Sequence, residues 1–380
     1  MRTAAVFHPS SELYGADRIM VQTLKAFPKD TRFLIYLRED GPLVELIDEH
    51  IANKEIIIDK RMPVIYRAIF SPRGILHFLG NLRYWKTRMK ADLDGSELEC
   101  IYVNTLSCSF VLYTLRRMAV KKIIHVHEII DFPKVVGKVT AFLCSRFADH
   151  TVVVSDAVKR KLDHYIRFKP NQIRIMHNGI AYPKEIKESL LNPKINFYLF
   201  GRIHPNKGQE YLLNSIKHIN RSVLEEARFI LVGGVAKNRE QDLHDLQRII
   251  KDNALEEYVV IKGFMKDIEP EMLKSDVCLI PSKMKDPFPT TVLEAMSYGK
   301  AVIATNHGGA AEVIHDGENG YLISPDAEAE LSDRIERLIR NKEMIRDFGK
   351  KSRALFLSSY TSKHYFERWT SFFSEFGYFE

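Results

Sequence analysis

Short apolar runs rich in Val and Ile alternate with amphipathic helical stretches from one end of this chain to the other, and this alternation constrains the fold more than any other feature. In the first half the runs fall at residues 4–7, 33–36, 55–58, 100–103, 122–126 and 150–154. In the second they fall at 196–200, 228–232, 258–261, 277–280, 301–304 and 320–323. Helical spacing of apolar residues occupies intervals such as 16–26, 157–165, 209–219, 239–252 and 328–338. Strands that are apolar on both faces belong in parallel sheets covered by helices on both sides. Two cycles of the pattern predict two doubly wound α/β domains, and 380 residues suffice for two. The joint falls in segment 178–195, rich in turn formers. The expected domains are therefore 1–185 and 186–358, with a last segment at 359–380. Open α/β sheets bind ligands at the carboxyl ends of their strands, so two such sheets facing each other would make a cleft.

Charge separates the halves. The net +7 divides into 29 basic and 20 acidic side chains in residues 1–185, against 27 and 29 in residues 186–380. Residues 60–90 hold Lys60, Arg61, Arg67, Arg73, Arg83, Lys86, Arg88 and Lys90 with no acid. Among them lie Ile65, Tyr66, Ile69, Phe70, Leu76, Phe78, Leu79, Leu82, Tyr84 and Trp85. Such a stretch fits a helix lying on an anionic membrane, and equally a helix pair packed into the first domain. It matches none of the usual nucleic-acid modules, so no nucleic-acid partner is expected. The four cysteines form no CxxC pair and no zinc spacing; they read as buried thiols in a reducing compartment, and no metal is expected. No apolar run approaches the roughly 20 residues that span a bilayer, and the N-terminus lacks a signal-peptide core. A cytoplasmic protein is expected, soluble or peripheral on the inner face of the cell membrane.

Chemistry is concentrated in the second half. In Asp286-Pro-Phe-Pro-Thr-Thr-Val-Leu-Glu294, Thr290 reads as the N-cap of a helix with apolar stripe Val292, Leu293 and Met296, stopped at Gly299. The first amides of such a helix suit a phosphate. Glu294, one turn inside, can accept hydrogen bonds from vicinal hydroxyls, and Asp286 sits where the preceding loop approaches a ligand. A surface helix with two solvated acids fits the same residues. In Gly201-Arg202-Ile-His-Pro-Asn-Lys207-Gly208, a strand end is followed by two cations that would neutralise a diphosphate. An ordinary basic loop is the plain alternative there.

At these two places the sequence resembles the retaining glycosyltransferases of family 4, which have the GT-B fold. Asp286 and Glu294 match the spacing of that family's Glu-x7-Glu signature, and Gly201-Arg202 with Lys207-Gly208 match its Gly-Arg…Lys-Gly. Further matches are Leu231-Val-Gly-Gly234, His177-Asn178-Gly179-Ile180, Gly308-Gly309-Ala-Ala-Glu312 and Tyr14-Gly15-Ala16-Asp17-Arg18. The resemblance implies an α/β GT-B protein: two doubly wound Rossmann-like domains facing a central cleft, the first binding the acceptor and the second the nucleotide sugar. It also implies that segment 359–380 crosses back as a helix onto the first domain, which explains its aromatic stripe (Tyr365, Phe366, Trp369, Phe372, Phe373, Phe376) as packing.

The implied reaction is metal-independent and needs no cofactor. A sugar moves from a nucleoside diphosphate, of UDP or GDP type, to an acceptor hydroxyl with retained configuration. Arg202, Lys207 and the helix start at Thr290, Thr291 and Val292 would stabilise the leaving diphosphate. Glu294 would hold the ribose, and Asp286 with the amides of Phe288 and Thr290 the sugar hydroxyls. Gly263, Phe264 and Met265 would lie against the base. His127, in Ile123-Ile-His125-Val-His127-Glu128, would contact the donor sugar, and Gly15 would let the backbone approach the diphosphate. Two residues depart from the family pattern: Asp286 is one methylene shorter than the usual Glu, and Pro289 replaces a Gly, removing an N–H. Asp92-Leu-Asp94 superficially matches a metal motif but reads as a solvated turn. A lipid-linked or surface-polysaccharide acceptor suits the basic half. The rival readings are a sugar-nucleotide epimerase of the same fold and a basic membrane-binding protein with a degenerate site.

Overall fold

The computed structural model describes residues 2–66, 69, 71–93, 97–186, 192–235 and 239–379. It contains two compact units, Met1–Asn178 with Lys363–Glu380, and Gly179–Ser362. In the first, strands β1 (Thr3–His8), β2 (Arg32–Leu37), β3 (Lys54–Ile58), β4 (Leu98–Asn104), β5 (Lys121–Val126), β6 (His150–Val153) and β7 (Ile173–Ile175) form one parallel sheet. Its order is β3-β2-β1-β4-β5-β6-β7, which reverses between β1 and β4. In the second unit, β8 (Ile195–Phe200), β9 (Ala227–Val232), β10 (Val259–Lys262), β11 (Val277–Ile280), β12 (Ala301–Thr305) and β13 (Gly320–Ile323) are again all parallel. Their order, β10-β9-β8-β11-β12-β13, reverses between β8 and β11. Both units are thus doubly wound, and each has one switch point where ligands of such sheets bind.

The central strands are buried throughout, as their apolar sequences require: Ala4, Ala5, Val6 and Phe7 are fully shielded in one unit, and Ala301, Val302, Ile303 and Ala304 in the other. In the second core Phe197 stacks on Phe229 with centroids 5.1 Å apart. The first core is completed from the far end of the chain. Helix Ser362–Glu375 inserts Tyr365, Trp369, Phe372 and Phe373 beside Ile19, Met20, Leu24 and Tyr102, and the Tyr365 hydroxyl lies 2.6 Å from Thr23 Oγ1. The first unit ends at Asn178, at the start of the expected joint 178–195 and seven residues ahead of the expected domain boundary at 185. Ile180 is tied to the second unit: its amide donates to Tyr360 O at 3.0 Å and its carbonyl accepts from the Ser362 amide at 2.9 Å.

The basic stretch divides. Helix Pro72–Leu93 buries Trp85 and Met89 completely, with Trp85 edge-on to Phe7 and Tyr36 at 6.1 and 5.8 Å. Arg88 pairs with Asp59 at 2.5 Å and Asp92 at 3.0 Å, while Arg61 stacks on Tyr84. The later turns therefore pack into the core, as amphipathic spacing also allowed. Asp92 lies in the last turn of this helix, bonded to Arg88, rather than in a solvated turn. Arg67, Phe70, Asp94 and the side chain of Lys90 lie outside the described residues. Among the described residues, no helix is long and apolar enough to cross a membrane.

Candidate functional site

In the first unit, polar side chains gather at the switch point between β1 and β4. His8 ends β1 and Asn104 ends β4, and each is the polar terminus of an apolar strand. The Asn104 amide nitrogen lies 2.9 Å from His8 Nδ1 and 3.4 Å from the Ala16 carbonyl, which orients the amide. Its Oδ1 then faces His127 Nε2 at 3.0 Å and the Tyr102 hydroxyl at 3.1 Å. With the Asp17 carboxylate as the terminal acceptor, the partners set one consistent direction along the chain His127–Asn104–His8–Asp17. Nε2–H of His127 donates to Asn104, Asn104 donates to Nδ1 of His8, and Nε2–H of His8 donates to Asp17 Oδ1 at 2.6 Å. Asp17, in the first turn of helix Gly15–Leu24, also accepts from Ser10 at 2.8 Å and from the Tyr14 amide at 2.7 Å. His125 lies 2.7 Å from the Tyr102 oxygen through Nδ1, and its ring centroid is 4.0 Å from that of His127.

Burial, reinforced by the neighbouring His8, pushes the His127 imidazole down to about 3. Neutral His127 with its proton on Nε2 presents Nδ1 as an acceptor. The adjacent Glu128 carboxylate receives the amides of Leu106, at 3.0 and 3.1 Å, and His127, at 3.1 Å. Its burial raises its proton affinity, and these amides oppose that effect. Between Asn104 and Leu106, Thr105 is held at φ +76°, a strained setting for a β-branched residue. Gly15 opens the helix Gly15–Leu24, and a Cβ there would meet nothing within 4 Å.

In the second unit the loops after β8, β11 and β12 meet at the switch point. Lys207 Nζ lies 3.4 Å from Asp286 Oδ2, both partly exposed, so the predicted cation and carboxylate are brought together. Two glycines permit the close packing. Gly208, at φ +83°, has the Pro281 carbonyl oxygen 2.0 Å from where a Cβ would stand; at Gly308, φ +62°, the Asp286 carbonyl oxygen is 2.1 Å away. The Gly309 amide donates to that Asp286 oxygen at 2.9 Å. Helix Thr290–Ser297 follows, with Val292, Leu293 and Met296 fully buried. Its N-cap is Pro289 and not Thr290. Proline's φ of −68° with extended ψ ends the loop without needing an N–H, and this moves Thr290 to the first helical position. The amides of Thr290 and Thr291 precede any helical acceptor.

Glu294 stands partly exposed one turn inside that helix. Arg202 is exposed, and its carbonyl accepts from Gln209 Nε2 at 2.9 Å, fixing the loop backbone. The Phe288 side chain is buried near Tyr360, so it is not exposed for contact with a ligand. Beyond β10, Gly263 is open, Met265 is half-buried and Phe264 is 79% exposed, its Cβ against Gly234. Sequence reasoning did not single out His8 or Asn104; a polar residue closing an apolar strand was their signal. His307, after β12, is a further such residue, and both its ring nitrogens are buried without a hydrogen-bond partner.

Two family models match: Glycosyltransferase Family 4 over residues 25–182 and Glycosyl transferases group 1 over residues 182–355. An uncharacterised glycosyltransferase of Methanocaldococcus jannaschii is 26% identical over 299 residues, 72% of this chain and 74% of that protein. The Escherichia coli UDP-Gal:alpha-D-GlcNAc-diphosphoundecaprenol alpha-1,3-galactosyltransferase is 25% identical over 338 residues, 82% and 81% of the two chains. Among solved structures, HepE of Anabaena in complex with UDP superposes with a TM-score of 0.81 at 21% identity, covering 99% of this chain and 100% of that one.

Proposed function

The chain belongs to the family 4 glycosyltransferases, with the GT-B pair of Rossmann-like units, and on that premise we propose that it transfers a sugar from a UDP-sugar to a lipid-linked or surface-glycan acceptor, with retention and without a metal ion. The observation that carries this reading is the meeting of Lys207, Asp286 and the start of helix Thr290–Ser297 at one switch point. HepE, with the same fold, binds UDP, and the Escherichia coli relative uses UDP-galactose on a diphosphoundecaprenol-linked sugar.

In the proposed reaction the bond between the anomeric carbon and the β-phosphate oxygen breaks. The acceptor oxygen bonds to that carbon on the same face, and the acceptor's proton passes to the departing phosphate. Arg202, Lys207 and the amides of Thr290 and Thr291 stabilise the developing charge by groups already in place. Asp286 grips the sugar hydroxyls and Glu294 those of the ribose, while exposed Phe264 offers a face to the base. Neutral His127 has no proton to give through Nδ1, which can only accept a hydrogen bond, and a sugar hydroxyl is the group suited to donate it. The relatives named above are transferases, which does not favour the epimerase or the degenerate binding protein. The test is UDP-sugar binding and transfer by Lys207→Ala and Glu294→Gln: the reading requires both to lose transfer while folded, and normal transfer by either removes the site.

A further inference from the structure

The face of the first unit that carries helices Pro72–Leu93, Phe110–Thr114 and Lys134–Phe147 leaves large apolar side chains in water. Phe132 is 86% exposed, Leu76 71%, Val135 60%, Leu79 56% and Phe142 49%. They do not lie on scattered elements. Phe78 packs on Phe110 at 4.9 Å and Tyr113 on Phe147 at 5.7 Å, so the three helices form one aromatic-linked layer. In the third helix the inward side is fixed by Gly137, where the Tyr165 ring stands 2.3 Å from a would-be Cβ, and by buried Thr140, Ala141 and Cys144. Val135, Val139 and Phe142 therefore run along the opposite side at helical spacing.

The end at which these residues gather matters. A helix joining two parallel strands runs antiparallel to them, so its first turns lie at the carboxyl end of the sheet. Leu76, Leu79, Phe132 and Val135 occupy the first turns of their helices or the residues just before, on the edge of the unit where Asn104 and His127 close β4 and follow β5. The charge around them has one sign. Arg73, Lys134 and Lys138 are exposed in the early turns of the same helices, and Arg83, Lys86 and Arg146 are exposed further along them. The only acid on the three is Asp92, held by Arg88; Asp131, beside Phe132, is held by Lys161.

We propose that this face docks onto an anionic lipid bilayer, the apolar side chains entering the interface and the basic ones meeting lipid phosphates. This deepens the proposed function and rests on its lipid-linked acceptor: docking there would hold the His127 edge at the surface from which such an acceptor projects. It moves the contact from the later turns of helix Pro72–Leu93, which are packed, to the first turns of that helix and to Lys134–Phe147.

The test is co-sedimentation of the whole protein with vesicles of phosphatidylglycerol and phosphatidylcholine, or of phosphatidylcholine alone. The variants are Leu76→Ser with Val135→Ser and Phe142→Ser, and separately Lys134→Glu with Lys138→Glu. All the changed residues are exposed, and unchanged thermal midpoints confirm folding. At least tenfold weaker binding by both variants to anionic vesicles, and by the unaltered protein to neutral ones, is the expected result. Equal binding by variants and unaltered protein overturns the proposal. So does self-association that the variants abolish with no change in vesicle binding, which would assign the face to a second copy of the chain. Charge- and variant-dependent vesicle binding by an enzyme that transfers only to water-soluble acceptors would uphold the surface and overturn the lipid-linked acceptor instead.

Discussion

Asn104 links two histidines: its Oδ1 accepts from His127 Nε2 at 3.0 Å while its amide nitrogen donates to His8 Nδ1 at 2.9 Å. His8 in turn donates to Asp17, so a carboxylate in the first turn of helix Gly15–Leu24 fixes the tautomer of His8 at the end of β1 and, through Asn104, that of His127 just past β5. Asn104 acts as a positioning residue, and Asn104→Leu should free the His127 ring to rotate. The expected cost is on the order of 10²-fold in kcat/KM, with UDP affinity unchanged because Asn104 and the Lys207 site belong to separate units. Steady-state kinetics beside calorimetric UDP titration separate the two effects. Asn104→Asp should also raise the proton affinity of His127, visible as a moved imidazole nitrogen resonance.

Buried His125 and half-buried His127 make stability fall in acid. The folded protein holds His125 well below the ordinary histidine range and His127 down to about 3, in both cases chiefly through burial. As pH drops below about 6.5, the unfolded chain takes up protons that these two rings in the folded chain refuse, so the unfolded state binds more protons and stability declines towards pH 3. A proton bound by the unfolded chain and fully refused by the folded one gives at most about 1.4 kcal/mol per pH unit. Urea unfolding of His127→Gln at pH 7 and pH 5 should show a smaller decline than the unaltered protein shows.

At the donor site, Lys207→Ala should weaken UDP binding about 10- to 100-fold, the worth of one charge-assisted hydrogen bond. The thermal midpoint without ligand should stay within error, since the pair with Asp286 is half-exposed and contributes little to folding. Calorimetry for binding and a melting curve without nucleotide check both halves.

Gly308→Ala would set a Cβ 2.1 Å from the Asp286 carbonyl oxygen in a backbone conformation at φ +62°. The expected loss is about 1–3 kcal/mol of stability, together with weaker donor binding as the Asp286 loop shifts. A variant as stable as the unaltered protein, with full UDP affinity, would show that this contact does not shape the loop.

The residues proposed for the donor could be picked out because each group is contiguous: residues 201–208 and 286–294 each bring a strand end, turn and helix start in one stretch. Most strands were legible because parallel strands in the middle of a sheet are buried on both faces and therefore carry continuous apolar runs, as in Ala301–Thr305. β7 was not, because Ile173–Ile175 is three residues long and alternates only once. The network around Asn104 was not, because His8, Asn104 and His127 stand 96 and 23 residues apart and meet only through the strand order β1-β4-β5. The exposed stripe on helix Lys134–Phe147 depends on which face Tyr165 covers, and that contact is tertiary.

Everything proposed for the two units converges on sugar transfer from a UDP-sugar with retained configuration. The most direct test is to incubate the protein with an α-linked UDP-hexose and a diphosphopolyprenol-linked sugar, and to read the new anomeric centre by proton NMR. The expected result is an α-linked product, formed by the unaltered protein and not by Lys207→Ala. A β-linked product, or UDP release with no sugar on the acceptor, would contradict it.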